Sequence, residues 1–194
     1  MKTTEQRTGA QQLQAASWFS KLLPPALILT AVVVAAGIQA GLGPAGVILL
    51  VAGIVGIPGA IYKGTKSVFR RRGLPDSWRT NLVAFLMLAG TVVCCLIPLE
   101  SPVPHTVAGL FLGNAGLVFF RRWLDVSAHV SVITFAGLWF TAIFGGAWAW
   151  LLILSPLMMF SRVSLREHTP REALTGAALG VGTFCCFLVA MTWS

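Results

Sequence analysis

Three short polar segments interrupt an otherwise apolar chain, and two of them carry histidines together with hydroxyl and basic side chains. Residues 161–172 include Arg162 and His168, and residues 126–129 include His129. An imidazole can attack phosphorus or carry a proton, and a guanidinium binds phosphate oxygens through two parallel hydrogen bonds. These residue types therefore indicate a site that acts on a phosphate group.

The last of the three segments has a recognisable spacing of serine, arginine, histidine and an acid. Ser161 and Arg162 are followed after five residues by His168 and after three more by Glu172. This resembles the signature S-R-x(5)-H-x(3)-D of the type-2 phosphatidic acid phosphatase superfamily, which also includes vanadium haloperoxidases. Glu172 stands where the family usually has aspartate, and its side chain is longer by one methylene.

The segment at 126–129 resembles the second motif of the same family, P-S-G-H. Its sequence is Val-Ser-Ala-His. Ser127 and His129 match the motif, whereas Val126 and Ala128 replace the proline and the glycine.

The basic segment between Lys63 and Arg79 resembles the first motif of the family, K-x(6)-R-P. Lys63 and Arg70 match it, and Arg71 replaces the proline. Because this segment contains many cations, Arg79 is an alternative for the same role. The three motifs occur in the family's order, and the resemblance covers about residues 63–180.

The resemblance implies a reaction through a phosphohistidine, with His168 as the nucleophile. Glu172, four residues later, would hold the other ring nitrogen and stabilise the imidazolium. His129 would protonate the leaving alkoxide. No metal and no other cofactor is implied, because arginine and lysine supply the positive charge. The phosphate would be bound by side chains and amides of the three segments: Lys63 with Arg70, or alternatively Arg79, and Ser127, Ala128, Ser161 and Arg162.

Each of these residues also has a purely structural interpretation. His168 could be a solvated histidine at the membrane interface, and His129 could be a neighbour of a helix cap. Lys63 and Arg70 could set the membrane topology. Glu172 could be an acid in the first turn of a helix, where it interacts favourably with the helix dipole.

The elements that must position these segments are apolar helices. Of the 194 residues, 56% are hydrophobic and 10% are charged, whereas about 25% are charged in an ordinary soluble domain. So few charges could not cover the surface of a soluble fold of this size, but a bilayer removes that need. The four cysteines show no metal-ligand spacing.

Seven apolar runs are candidates for membrane-spanning helices, with lengths close to the roughly 17–25 residues that the hydrocarbon requires. The predicted fold is therefore all-α, a polytopic transmembrane bundle of six or seven spanning helices. Residues 1–21 are predicted to form a polar or interfacial N-terminal segment, and 22–194 one transmembrane domain. The stretch from Lys63 to Arg79 is predicted to be a loop, and Asp125 to cap the fifth helix. The runs lie at about 23–40, 45–62, 80–98, 105–120, 126–144, 147–161 and 173–193.

If the seven runs alternate across the membrane, every lysine and arginine falls on the side of the N-terminus. The positive-inside rule then puts this side, with the three polar segments, in the cytoplasm. The net charge of +8 fits anionic lipid head groups and phosphate substrates better than nucleic acid, because the cations sit in short gaps between apolar runs. The 14 cations are Lys2, Arg7, Lys21, Lys63, Lys66, Arg70, Arg71, Arg72, Arg79, Arg121, Arg122, Arg162, Arg166 and Arg171.

The expected function is hydrolysis of a phosphate monoester or diphosphate on a membrane lipid, such as a polyprenyl phosphate, a prenyl-phosphosugar phosphate or a phosphatidate-like lipid. The alternative is a catalytically inactive relative that binds a lipid phosphate or a membrane partner, since the second motif is altered and Glu172 replaces aspartate. A vanadate haloperoxidase is less favoured, because the known ones resemble soluble proteins with more oxyanion ligands. The sequence leaves the lipid tail and the oligomeric state open.

Overall fold

The computed structural model describes residues 22–193 and, in the N-terminal segment, Gln14, Ser17, Trp18 and Ser20. The described residues contain no strand, so the all-α prediction is confirmed. The predicted interfacial segment 1–21 lies mostly outside the described residues, as do its cations Lys2, Arg7 and Lys21. Residues 25–192 form seven helices: α1 (Pro25–Gln39), α2 (Pro44–Arg71), α3 (Asp76–Leu96), α4 (Val103–Phe120), α5 (Ala128–Phe144), α6 (Gly146–Ser164) and α7 (Pro170–Thr192).

Five of these helices are long and apolar enough to cross a membrane, namely α2, α3, α4, α6 and α7. The other two are apolar but shorter, with 15 residues in α1 and 17 in α5. No more than 28% of any spanning window is buried inside the protein, and large apolar side chains such as Leu96 and Phe160 are exposed. Hydrocarbon covers such a surface favourably and water does not, so these helices are those of a membrane protein.

The prediction of a loop from Lys63 to Arg79 is wrong except at residues 72–75, because α2 continues as a helix to Arg71 and α3 begins at Asp76. The apolar run ends near Lys63, but lysine and arginine are good helix formers and do not end a helix. The helix ends where Gly73 adopts a φ of 64° and Pro75 follows. A left-handed glycine and a nearby proline are common signals for the end of a helix.

The prediction that Asp125 caps the fifth helix is also wrong. Helix α5 begins at Ala128, and Ser127 occupies the cap position without a side-chain cap bond. Val126 and Ser127 are both buried, whereas Asp125 is exposed. Burial of the apolar valine draws this short connection inward and leaves the aspartate in contact with solvent.

The chain divides into two compact units. The first contains Phe120–Val181 with the described residues up to Ile28, and it includes α5, α6 and most of α7. Its core lies along α5, where the side chain of Trp139 is completely buried. The second unit contains Leu29–Phe119 and the chain from Gly182 onwards. Two of the polar segments therefore belong to the first unit, and the basic segment belongs to the second.

Candidate active site

The end of α6 turns the chain back over Arg162. Arg166 adopts the left-handed conformation with a φ of 55°, and its N–H donates to the carbonyl of Val163 at 3.0 Å. The N–H groups of Glu167 and His168 both donate to the carbonyl of Arg162, at 3.1 and 3.4 Å. This is a Schellman cap, in which glycine usually occupies the left-handed position. The cap returns Glu167 and His168 to the helical turn that bears Arg162.

Helix α7 begins with a capping box. The Oγ1 atom of Thr169 accepts a hydrogen bond from the N–H of Glu172 at 3.3 Å, and Glu172 Oε2 accepts one from the N–H of Thr169 at 2.8 Å. Pro170 occupies the first helical position, where the missing N–H needs no partner. The same Oε2 atom lies 3.6 Å from Nδ1 of His168. Glu172 therefore holds the helix start and also faces the imidazole.

Two glycines hold α7 directly against α5. A Cβ atom on Gly176 would lie 2.7 Å from the carbonyl oxygen of Ser127, and one on Gly180 would lie 2.5 Å from the carbonyl oxygen of Ser131. Only glycine permits two helix backbones to approach so closely. The N–H of Ser127 also donates to the carbonyl of Glu172 at 3.4 Å. This packing places the start of α5 beside the first turn of α7.

A second contact fixes α6 against α5. The hydroxyl oxygens of Thr134 and Ser155 are 2.6 Å apart and share a hydrogen bond. A Cβ on Gly137 would lie 3.4 Å from the carbonyl oxygen of Leu151, so the two backbones are close here as well. Ser155 precedes Arg162 by two helical turns, and residues at this spacing lie on one helix face. Arg162 therefore lies on the face of α6 that is turned towards α5.

Arg162 links the two histidine-bearing segments. Its side chain is 11% exposed, and its Nη2 atom lies 2.5 Å from Nδ1 and 3.2 Å from Nε2 of His129. Its Nη1 atom donates to the hydroxyl of Ser20 at 3.0 Å and forms an ion pair with Glu167. Because its carbonyl accepts a bond from the N–H of His168, Arg162 contacts both histidines.

The charges of this cluster determine the protonation of His129. A guanidinium has only donors, so the His129 nitrogen that faces Arg162 is an acceptor and the imidazole is neutral. A buried guanidinium also requires a counter-charge, because its desolvation is unfavourable. Glu167 supplies that charge through a side chain that is 49% exposed.

Three buried polar atoms of this cluster have no hydrogen-bond partner among the described residues. They are Oγ of Ser127, Nε of Arg162 and Nδ1 of His168, whose 3.6 Å separation from Glu172 exceeds a hydrogen bond. Ser127 is completely buried. Buried polar atoms in folded proteins nearly always have partners. Such atoms beside two histidines and an arginine therefore indicate a site for a polar ligand.

An open depression beside the cluster gives access to the nucleophile candidate. Its volume is about 360 Å³, and the side chain of His168 is 12% exposed. The lining residues are Val163, Arg166, Glu167, His168, Thr169, Pro170 and Glu172. A small anion entering here would meet the imidazole of His168 and two carboxylates.

The structure brings together most of the residues proposed for phosphate binding in the two histidine segments. Ser161 is buried one position before Arg162 on α6, and Ser127 is buried at the start of α5. Ala128 is the first residue of α5, so its amide belongs to the positive end of the helix dipole.

The candidates of the basic segment lie in the second unit. Lys63 and Arg70 are exposed and lie two turns apart on one face of α2. Arg79 is buried, its Nη2 donates to the carbonyl of Tyr62 at 2.7 Å, and its guanidinium lies 4.4 Å from the centre of the Tyr62 ring. These contacts join α3 to α2. Phosphate binding by Lys63, Arg70 or Arg79 stays a prediction.

Sequence reasoning missed Ser20, Glu167, Gly176 and Gly180. The two glycines have the G-x-x-x-G spacing that is typical of close helix packing in membranes, and this signal could have identified them. Glu167 lies between the arginine and the histidine of the third motif, at one of the five positions that the motif leaves open. Ser20 is 142 residues away from Arg162, and no sequence pattern connects them.

Among the described residues, no group of three histidine, cysteine, aspartate or glutamate side chains could hold a metal ion. The chain matches no protein-family model, no curated protein and no solved structure. Its assignment to the phosphatase superfamily therefore remains a prediction from the three polar segments.

Proposed function

We propose that the chain is an integral membrane phosphatase that hydrolyses a phosphate monoester or diphosphate carried on a lipid. The observation that carries this proposal is the position of Arg162. Its guanidinium contacts the imidazole of His129, its backbone carbonyl accepts a hydrogen bond from the N–H of His168, and buried polar atoms nearby have no partner among the described residues. A guanidinium and two imidazoles in one cluster offer a phosphate ligand, a nucleophile and a proton carrier. The candidate substrates are polyprenyl phosphates, prenyl-phosphosugar phosphates and phosphatidate-like lipids.

In the first step, Nε2 of His168 attacks the phosphorus. Glu172 faces Nδ1, which favours the tautomer with the proton on Nδ1 and the lone pair on Nε2. The N–P bond forms while the bond from phosphorus to the lipid oxygen breaks, and the bonding electrons leave with that oxygen. His129 donates a proton to the oxygen, and the lipid product departs.

In the second step, water attacks the phosphohistidine. His129 accepts a proton from the water, the N–P bond breaks, and inorganic phosphate and free His168 result. His129 is neutral while it faces only Arg162, so it takes up a proton from water when the substrate binds. The negative charge of the phosphate favours the imidazolium.

The positive end of α5 and the guanidinium of Arg162 stabilise the charge on the phosphate oxygens. Hydrolysis of a phosphate monoester depends mainly on such positioning and charge stabilisation. The backbone amide of Ala128 and the hydroxyl of Ser127 are the neutral donors in this arrangement. Lys63 with Arg70, or alternatively Arg79, would add further cations from the basic segment.

The proposed topology has six or seven spanning helices, which are the five long helices together with one or both of α1 and α5. The 17 residues of α5 correspond to about 26 Å at 1.5 Å per residue, close to the roughly 30 Å hydrocarbon thickness. If all seven span, the distribution of the 14 lysines and arginines favours a position of the polar segments at the cytoplasmic surface of the cell membrane.

A non-catalytic protein that binds a lipid phosphate or a membrane partner is the second candidate. Two observations favour it. Glu172 has a structural role in the capping box, and both terminal nitrogens of Arg162 already have protein partners. Such a protein would bind phosphate at this cluster without releasing it from a lipid.

Phosphate release from a panel of lipid phosphates by the purified chain distinguishes these candidates. We expect release by the wild type and a loss on the order of 10³-fold or more in His168→Asn, which keeps a polar side chain but has no nucleophile. A folded wild type that releases no phosphate from any lipid would reject the phosphatase. Equal rates for the two proteins would reject His168 as the nucleophile.

A further inference from the structure

We infer that Glu167 occupies the phosphate position on Arg162 between turnovers and that the substrate binds by displacing it. This inference rests on the proposed function, because it names what the phosphate must displace at the same site. It adds a residue that sets the affinity and the charge selectivity of the site.

The contacts of Arg162 leave little room for a phosphate while Glu167 is in place. Of its two terminal nitrogens, Nη2 lies beside His129, and Nη1 is shared between Ser20 and the carboxylate of Glu167. A carboxylate and a phosphate both bind a guanidinium through negatively charged oxygens. Glu167 therefore holds Arg162 in the way that a phosphate would.

Glu167 has the exposure and the location that displacement requires. Its side chain is 49% exposed, so its carboxylate can return to water when a stronger ligand arrives. It lines the same depression as His168, and a phosphate that reaches the imidazole therefore also meets Glu167. The ion pair offsets the burial of the guanidinium while the site holds no substrate.

Displacement favours ligands with two negative charges. A phosphate monoester carries about −1.5 to −2 charges and three acceptor oxygens near neutral pH, whereas a carboxylate carries one charge. A phosphodiester also carries one charge and gains little by replacing a carboxylate. Glu167 thus selects a terminal phosphate over the phosphodiesters that are abundant in membrane lipids.

Calorimetric titration with inorganic phosphate tests this role on the full chain in detergent. We compare the wild type with Glu167→Gln and with the matched control Glu100→Gln, which removes the same charge at an exposed position of the other unit. Glu167→Gln should bind phosphate about fivefold more tightly, as expected for loss of a half-exposed ion pair. Glu100→Gln should equal the wild type.

A second titration tests the selectivity with methyl phosphate and dimethyl phosphate. The wild type should bind methyl phosphate more tightly than dimethyl phosphate. The ratio of the two affinities should be smaller in Glu167→Gln, because dimethyl phosphate, a monoanion, no longer competes with a carboxylate. In turnover of a hydrolysed lipid phosphate, KM should fall while kcat changes little. A residue that merely positioned Arg162 would instead raise KM or lower kcat.

The outcomes separate this inference from the proposed function. If the wild type binds phosphate and Glu167→Gln binds it equally or more weakly, the displacement role is wrong and the proposed function stands. If neither folded protein binds phosphate, the displacement role is wrong, and release of phosphate from lipids by the wild type decides the proposed function separately. Should Glu167→Gln fail to fold, Glu167→Ala replaces it with the same expected gain in affinity.

Discussion

His129 lies against the guanidinium of Arg162 through both ring nitrogens, at 2.5 and 3.2 Å. This contact leaves the ring neutral in the free protein, yet a leaving alkoxide requires a proton. The substrate must therefore supply the charge that lets His129 become protonated. The contribution of His129 to the rate should therefore depend on how much the leaving group needs a proton.

We expect His129→Ala to slow hydrolysis of an alkyl phosphate by about 10²–10⁴-fold, the usual contribution of a general acid. The loss should shrink for p-nitrophenyl phosphate, because its leaving group needs little protonation. Steady-state rates on the two substrates measure this difference. An equal loss on both would show that His129 binds the phosphate and does not transfer the proton.

A single substitution at Glu172 can separate its role in the helix cap from its proposed role in the reaction. Glutamine also forms a capping box, so Glu172→Gln should keep the melting temperature of the wild type. The variant lacks the carboxylate 3.6 Å from His168 Nδ1, and phosphatase activity should fall by about 10²-fold or more. Thermal unfolding and phosphate release measure the two effects. Full activity in Glu172→Gln would show that Glu172 stabilises the helix cap and does not assist the reaction.

At the scale of elements, the contact between α7 and α5 decides whether the motifs meet. Gly176 and Gly180 bring the two backbones together beside Ser127, and this glycine pair is four residues apart on one helix face. The Schellman cap after α6 and the capping box before α7 then fix the short turn that carries His168.

Substitution of Gly180 tests this packing. A Cβ there would lie 2.5 Å from the carbonyl oxygen of Ser131, so Gly180→Ala must push α7 away from α5, at a cost of about 1–3 kcal/mol. Stability and phosphatase activity should both fall. Gly182→Ala is the matched control, because no atom lies within 4 Å of its Cβ. Comparable unfolding temperatures for the two variants would contradict the close approach of α5 and α7.

At the scale of the whole molecule, the one-sided distribution of cations determines the orientation that we propose. Catalytic cations contribute to the bias. However, Arg121, Arg122 and Arg171 follow it as well, and none of them is needed for the reaction. The positive-inside rule applies to short connections near helix ends, which these segments are.

Cysteine labelling in intact cells measures this orientation. In a chain whose four native cysteines are replaced, we expect Ser67→Cys to resist a membrane-impermeant thiol reagent and Ser101→Cys to react. Both serines are exposed, so a difference in labelling reports the side of the membrane. Permeabilised cells provide the control, in which both positions should react. The reverse pattern would place the site outside the cell.

The sequence by itself determined the all-helical membrane fold, because apolar runs of spanning length and a scarcity of charges leave no other way to bury so much hydrocarbon surface. The resemblance of its polar segments to the family motifs also singled out Arg162, His168 and His129. The sequence-based prediction misjudged where α2 ends, since hydropathy falls at Lys63 while helix propensity continues to Arg71.

Only the tertiary structure decided which groups contact Arg162. Its bonds to Ser20 and His129, and the approach of α7 to α5 at Gly176 and Gly180, join residues distant in sequence. Such contacts depend on how helix faces pack, and no local pattern specifies them. Glu167 is close to Arg162 in sequence, but its contact with Arg162 also depends on the three-dimensional structure. Its ion pair with Arg162 requires the left-handed turn after α6. Glycine usually marks such a turn in a sequence, but here Arg166 occupies the position, so the turn was not predicted.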